Sequence, residues 1–139
     1  MINICCEDIN FDDFDSQCLQ TTLARIIKLE DFREGEISYI LCSDDYLINI
    51  NRQFLNHNYN TDVIAFPAIN SDIISGDIFI NVHQVHRNAD KYNTTMKNEF
   101  YRVCIHGLLH LMGFTDYSEE ERKIMKQKEN LYLQLFSEP

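Results

Sequence analysis

Glycine and proline are scarce in this 139-residue chain, at 4 and 2 residues, and tryptophan is absent. So few chain breakers exclude a Gly/Pro-rich linker or a low-complexity segment, and no internal repeat or shift of composition marks a boundary. The expectation is one domain over residues 1–139, large enough for a single core. Long apolar runs are missing too: none approaches the ~20 residues that span a bilayer. The opening MINICCEDINFDD has no basic stretch and turns acidic at Glu7, which is not the pattern of a signal peptide. These absences predict a cytoplasmic protein with no membrane partner. CxxC pairs are also lacking. The 5 cysteines (Cys5, Cys6, Cys18, Cys42 and Cys104) are scattered through apolar sequence and read as reduced, buried thiols rather than a disulfide framework or a cysteine metal site.

Positive charge is the next deficit. Against 22 Asp and Glu stand 12 Lys and Arg, a net charge of −10. Such a chain repels polyanions on average, which argues against bulk nucleic-acid binding and leaves no DNA partner expected. A local basic patch beside a metal remains compatible with it. What is present is globular: 45% hydrophobic and 12% aromatic residues, well outside the disordered range.

Periodicity predicts the elements. Residues 1–6 read as a short strand. Residues 12–30 read as a helix capped by Asp12 or Asp13, with Phe14, Cys18, Leu19, Leu23, Ile26 and Ile27 at helical spacing. EISYILC at 36–42 is a strand, and Ser43 or Asp44 caps a second helix carrying Tyr46, Leu47, Ile50 and Phe54. After the polar run NHNYN, TDVIAF at 61–66 reads as a strand stopped by Pro67, and GDIFIN at 76–81 as another. About 15 residues of polar helix or loop lead to an apolar helix from about Thr95 to Met112, ended by Gly113. Ser118 and Glu121 form a capping-box pattern for a last helix over roughly 118–136, with Ile124, Met125, Leu131 and Leu135 on one face. The sum is α+β, a small mixed sheet packed with helices.

The chemistry concentrates in His106-Gly-Leu-Leu-His110-Leu-Met-Gly113-Phe-Thr-Asp116. Histidines at i and i+4 share one helix face, so their nitrogens can meet one ion about 2 Å away. Gly113 ends the helix, and Asp116 arrives from the returning chain. Three ligands with open positions describe a catalytic zinc site, one ion per chain, rather than a closed structural one; the open position holds a water whose pKa the metal lowers to about 7. The bland alternative is one buried and one surface histidine. It is disfavoured because both interrupt an otherwise apolar helix, where an unpartnered imidazole is costly. Glu99 and Arg102 extend the same stripe, either as an exposed i, i+3 ion pair or as groups supporting the metal or facing substrate. Arg102 is the candidate catalytic cation. The ligand spacing is that of zincin peptidases, but Gly107 stands where their general-base Glu would be, which argues against peptidase chemistry.

HGLLHLMGFTD, with glycine at its second position, resembles the signature of the YbeY family of bacterial metal-dependent endoribonucleases. TDVIAFP at 61–67 and GDIFIN at 76–81 are similar to two further segments of that family, and Glu99 matches a common position. The resemblance covers roughly residues 45–130. It implies a zinc-dependent, single-strand-specific endoribonuclease in ribosomal RNA maturation at the 16S 3′ end, with RNA and ribosomal particles as partners. Two positions depart from the family pattern. Asp116 stands where a third histidine is usual, which shifts metal preference toward harder ions. Leu55 stands where the family often has an arginine, and Arg52, His57 or Arg102 are the available substitutes. The alternatives are a metal-dependent hydrolase of a peptide or small phosphoester, or a ribosome assembly factor with a mainly structural metal site.

Asp62 and Asp77 are polar candidates near the sheet edge, with strand-end hydrogen bonding the preferred role for both. His57, His83 and His86 read as surface histidines. For an RNA enzyme this acidic, Lys91, Lys97, Arg102, Arg52 and His57 are expected to converge near the metal as a local positive groove.

Overall fold

The computed structural model describes residues 1–56, 61–68 and 72–137. Four strands form one mixed sheet. They are β1 (Ile2–Cys6), β2 (Arg33–Cys42), β3 (Val63–Pro67) and β4 (Ile73–Asn81), in the spatial order β1-β2-β4-β3. β1 runs parallel to β2 and β2 parallel to β4, whereas β3 pairs antiparallel at the edge. That edge place is why β3 retains Pro67, opposite Gly76, where no ladder donor is required of it. β2 and β4 both begin three residues earlier than their apolar patterns suggest, and their register shifts between Glu34 and Ile37.

Five helices complete the α+β domain: α1 (Ser16–Leu29), α2 (Asp44–Leu55), α3 (Val82–Lys91), α4 (Met96–Leu111) and α5 (Glu119–Leu133), the last continued by a 3-10 turn at Gln134–Ser137. Ser43 and Thr95 cap α2 and α4 as expected, and Ser118 with Glu121 forms the full capping box of α5. The segment after β4 is helix α3, capped by Asn81, whose side chain accepts from the Gln84 amide at 3.1 Å. α1 starts later than its periodicity predicts, with Asp15 rather than Asp12 or Asp13 as the cap. The reason is tertiary: Phe11 and Phe14 leave the helical path to pack on Phe100, at centroid distances of 5.0 and 4.9 Å.

α1 and α4 cover one face of the sheet and bury the main core, with Leu19, Leu23, Ile37, Tyr39, Ile78, Ile80 and Ile105 at its centre. α2 covers part of the other face over Cys42, Leu47 and Ile64. All five cysteines are free, but only Cys42 and Cys104 are buried. Cys5 and Cys6 lie exposed at the edge strand, contrary to expectation; as neighbours they face opposite sides of the sheet, so this end of β1 is uncovered on both. Burial pushes the Cys42 thiol up to about 12, aided by the charges of Asp8 and Glu7. Among the described residues, no helix is long and apolar enough to cross a membrane.

Gly107 sets how closely α4 approaches the sheet. A Cβ there would lie 2.6 Å from Ile78 Cγ2 and 3.2 Å from Val63 Cγ2. Ile78 is fully buried and branched at Cβ, so its methyl cannot swing away. Gly107→Ala is therefore expected to destabilise the protein despite alanine's better helix propensity. Overpacking costs about 1–3 kcal/mol and propensity returns less than about 1. Thermal unfolding should show a Tm lower by several degrees, and the loss should shrink in an Ile78→Ala background.

Candidate metal centre

The last two turns of α4 carry His106 and His110 on one flank. Their Nε2 atoms lie 2.9 Å apart, with the rings nearly perpendicular. Beyond them the helix ends in a left-handed residue, Gly113 at φ 99°, and the Phe114 amide donates back to the Leu109 carbonyl at 3.1 Å. That reversal returns the chain toward the histidines, and Asp116 Oδ2 comes to 3.5 Å from each Nε2. Ligand atoms of the three residues all lie within 4.8 Å of one another. They are the one such group of His, Cys, Asp and Glu among the described residues.

The outer nitrogens fix what the inner ones offer. His110 Nδ1 is 2.9 Å from the Phe114 carbonyl oxygen, which can only accept, so the proton resides on Nδ1 and Nε2 presents a lone pair. His106 Nδ1 is 2.5 Å from Glu129 Oε2, which selects the same tautomer. Two imidazole lone pairs and a carboxylate oxygen thus face one point. Three electron-pair donors converging in this way can share a cation between them, whether a proton or a metal ion. His2Asp, with one oxygen and two nitrogens, suits zinc and harder divalent ions.

Glu129 is the residue that sequence reasoning missed. It sits on α5, 8% exposed, and its second oxygen accepts from Arg102 Nη1 at 3.0 Å. The signal was an acid on a buried helical stripe: Met125, Glu129 and Tyr132 at i, i+4 and i+7 face inward. The expected stripe differs, since Ile124 and Leu131 are exposed. α5 turns Glu129 inward because two hydrogen-bond donors on α4, the Arg102 guanidinium and the His106 Nδ1–H, await it. Arg102 is drawn the same way, its Nη2 donating to Asn130 at 2.8 Å. It forms no ion pair with Glu99 among the described residues.

Burial opposes charge on the His106 ring, but the hydrogen bond and charge of Glu129, with Asp62 and Asp116, outweigh it and raise its pKa. For His110, burial and the neighbouring His106 lower it. Glu99, 5% exposed, has its carboxyl raised chiefly by burial, with Arg102 pulling the other way. Asp62 is raised by burial against the counter-pull of His106, and it accepts from Asn88 Nδ2 at 3.1 Å.

These side chains border a cleft of about 500 Å3. Asp62, Glu99, Arg102, His106, Asp116 and Glu129 line its inner part. Asp77 is not there: it is exposed on β4, opposite Ser38 and Phe66. His83 and His86 are exposed on α3 and also stand apart from the cleft, as expected. Leu55 closes α2, 41% exposed. His57 lies outside the described residues. The expected positive groove does not form: of the described residues named for it, only Arg102 lines the cleft. Lys91, Lys97 and Arg52 do not line the cleft, whereas Arg102 does, joined by Arg122 and Lys126 of α5. Helical spacing explains it, since Arg122 and Lys126 stand at i and i+4 on the flank of α5 that turns toward α4. Three cations meet four carboxylates (Asp62, Glu99, Asp116 and Glu129) in the lining.

Comparison with known proteins gives a consistent picture. A family model described as endoribonuclease YbeY matches residues 2–137. The chain is 40% identical to endoribonuclease YbeY of Flavobacterium psychrophilum over 129 residues, covering 93% of this chain and 92% of that protein. It is 48% identical to the protein of the same name from Phocaeicola vulgatus over 76% of each chain, and 44% identical to that of Cytophaga hutchinsonii over 84% and 82%. Its structure resembles the solution structure of TM1509 from Thermotoga maritima, with a TM-score of 0.66 and 30% identity, over 98% of this chain and 89% of that one.

Glu129 should be legible in titration. Without its charge, burial governs the His106 ring. In metal-free Glu129→Gln protein, the His106 resonances are expected to titrate at lower pH than in wild type, with the proton gained only on stronger acidification. Histidine-selective NMR checks this; an unchanged His106 titration would remove Glu129 from the site.

Proposed function

The chain belongs to the endoribonuclease YbeY family, and from that premise we propose that His106, His110 and Asp116 hold a divalent metal, zinc, with which it cuts RNA. The hydrolytic endoribonuclease activity is that of the family. The observation that carries the metal assignment is the convergence of two Nε2 lone pairs and one carboxylate oxygen at the wall of a cleft. A divalent cation held by these groups supplies Lewis acidity toward a phosphate oxygen and acidifies a water nucleophile.

The protein's own groups divide the remaining work. Glu129 and the Phe114 carbonyl hold the two rings in the tautomer that presents Nε2. Arg102, fixed by Glu129 and Asn130, provides a positioned positive charge at the cleft wall, where it faces the charge developing on a scissile phosphate. Arg122 and Lys126 add charge at the outer wall and draw the strand in. The RNA targeted is ribosomal, single-stranded, at the 16S 3′ end, encountered in ribosomal particles in the cytoplasm. Peptide hydrolysis finds no support: position 107 faces Ile78 and Val63, so a glutamate base could not stand there.

Purified wild-type protein is expected to hold about one zinc per chain by elemental analysis, and His106→Ala and Asp116→Ala proteins to lose it. A chelator should abolish cleavage of a single-stranded ribosomal RNA substrate and added zinc restore it. His110→Ala should lower kcat/KM by more than about 100-fold, beyond what loss of a supporting residue produces. Metal-free wild type that cuts RNA at full rate would overturn the assignment.

A further inference from the structure

At its outer end the cleft is lined by an exposed aromatic ring. Tyr92 caps the C-terminus of α3, is 61% exposed, and borders the cleft together with Asn88, Thr94 and Asn98. The Lys91 ammonium sits 5.4 Å from the ring centroid, a cation–π contact that engages one face of the ring and leaves stacking to the other. The same cleft is lined by Arg122 and Lys126. Among the described residues the other strongly exposed tyrosine, Tyr117 at 84%, does not border the cleft. An aromatic face, amide side chains and cations lining one cleft are the elements by which single-stranded RNA is held: bases stack, amides read base edges, and cations follow phosphates.

Resting on the endoribonuclease reading, we propose that Tyr92 is a stacking platform for one unpaired base of the RNA, with Arg122 and Lys126 on the strand's phosphates. Position along the strand follows from helix geometry. Asn98, which lines the same cleft as Tyr92, precedes His106 by eight residues of α4, which is about 12 Å at ~1.5 Å per residue. That separation equals roughly three nucleotides of a stacked strand at ~3.4 Å each. The stacked base is therefore a flanking nucleotide and not the one whose phosphate is cut. A base in a duplex cannot reach the ring without unpairing, so the platform selects single strands. The cleft, at about 500 Å3, is the size of a small-ligand pocket and accommodates nucleotides of one strand.

The chain has no tryptophan, so Tyr92→Trp places a single indole at the platform. With chelator present to prevent cutting, oligoadenylate should quench its fluorescence. A duplex of the same length and an abasic ribose-phosphate strand should not. Tyr92→Ala should weaken oligoadenylate binding roughly tenfold and raise KM more than it lowers kcat, while Tyr92→Phe, which keeps the ring, restores both. Equal quenching by the abasic strand would mean phosphate binding without stacking and would overturn the proposal. So would quenching by an unstructured acidic peptide alone. Wild-type RNA cleavage is measured alongside. If wild type cuts RNA and the indole is not quenched, the platform falls and the endoribonuclease reading stands. If wild type neither binds nor cuts RNA, both fall together.

Discussion

The site depends on how closely one helix lies on the sheet. Because Gly107 has no side chain, α4 rests directly on Ile78 and Val63. With 3.6 residues per turn, fixing residue 107 against the sheet fixes every other azimuth on the helix. His106 and His110 then fall about 100° and 60° to one side, with Glu99 and Arg102 on the same flank. One steric contact thus places four polar side chains on one flank, with Glu99, Arg102 and His106 lining the cleft, and leaves Leu108, Leu109 and Ile105 to the core. The glycine that removes a peptidase base is the same one that seats the helix. Its two consequences have one cause.

The convergence of His106, His110 and Asp116 was legible in the sequence because it is local. Residues 106–116 contain both histidines, the helix stop and the aspartate, and the rules for helix faces and left-handed C-terminal residues suffice to bring them together. The α+β class, and most strands and caps, came from patterns of the same short range. What escaped was set by partners far along the chain. Glu129 is 23 residues from His106, and nothing within α5 announces that its acid points inward. α1 begins at Ser16 because Phe11 and Phe14 meet Phe100, a contact no local pattern contains. The cations of the cleft were sought near the metal helix in sequence, at Lys91 and Lys97. The fold instead brings Arg122 and Lys126 from the following helix.

The acidic character of the chain is reconciled at the cleft rather than over the whole surface. Three cations and four carboxylates line it, so its formal charge is negative by one until a cation is added. A dication turns that into a positive balance of one. A bound dication would therefore raise the affinity for a polyanion, on top of the stacking and local cation contacts that need no metal.

The centre also joins two pieces of chain that could otherwise separate. Asp116 lies just before α5, its carbonyl accepts from Arg122 at 3.3 Å, and Glu129 reaches across from three turns further on. α4 supplies the nitrogens, and α5 with its leading turn supplies the oxygens. A cation bound between them favours the docked arrangement over one in which the C-terminal helix has peeled away, by mass action on the same equilibrium. With a metal held there as proposed, amide exchange in α5 would report occupancy of a site that contains no α5 ligand, and the helix would act as a thermodynamic latch closed by that ion.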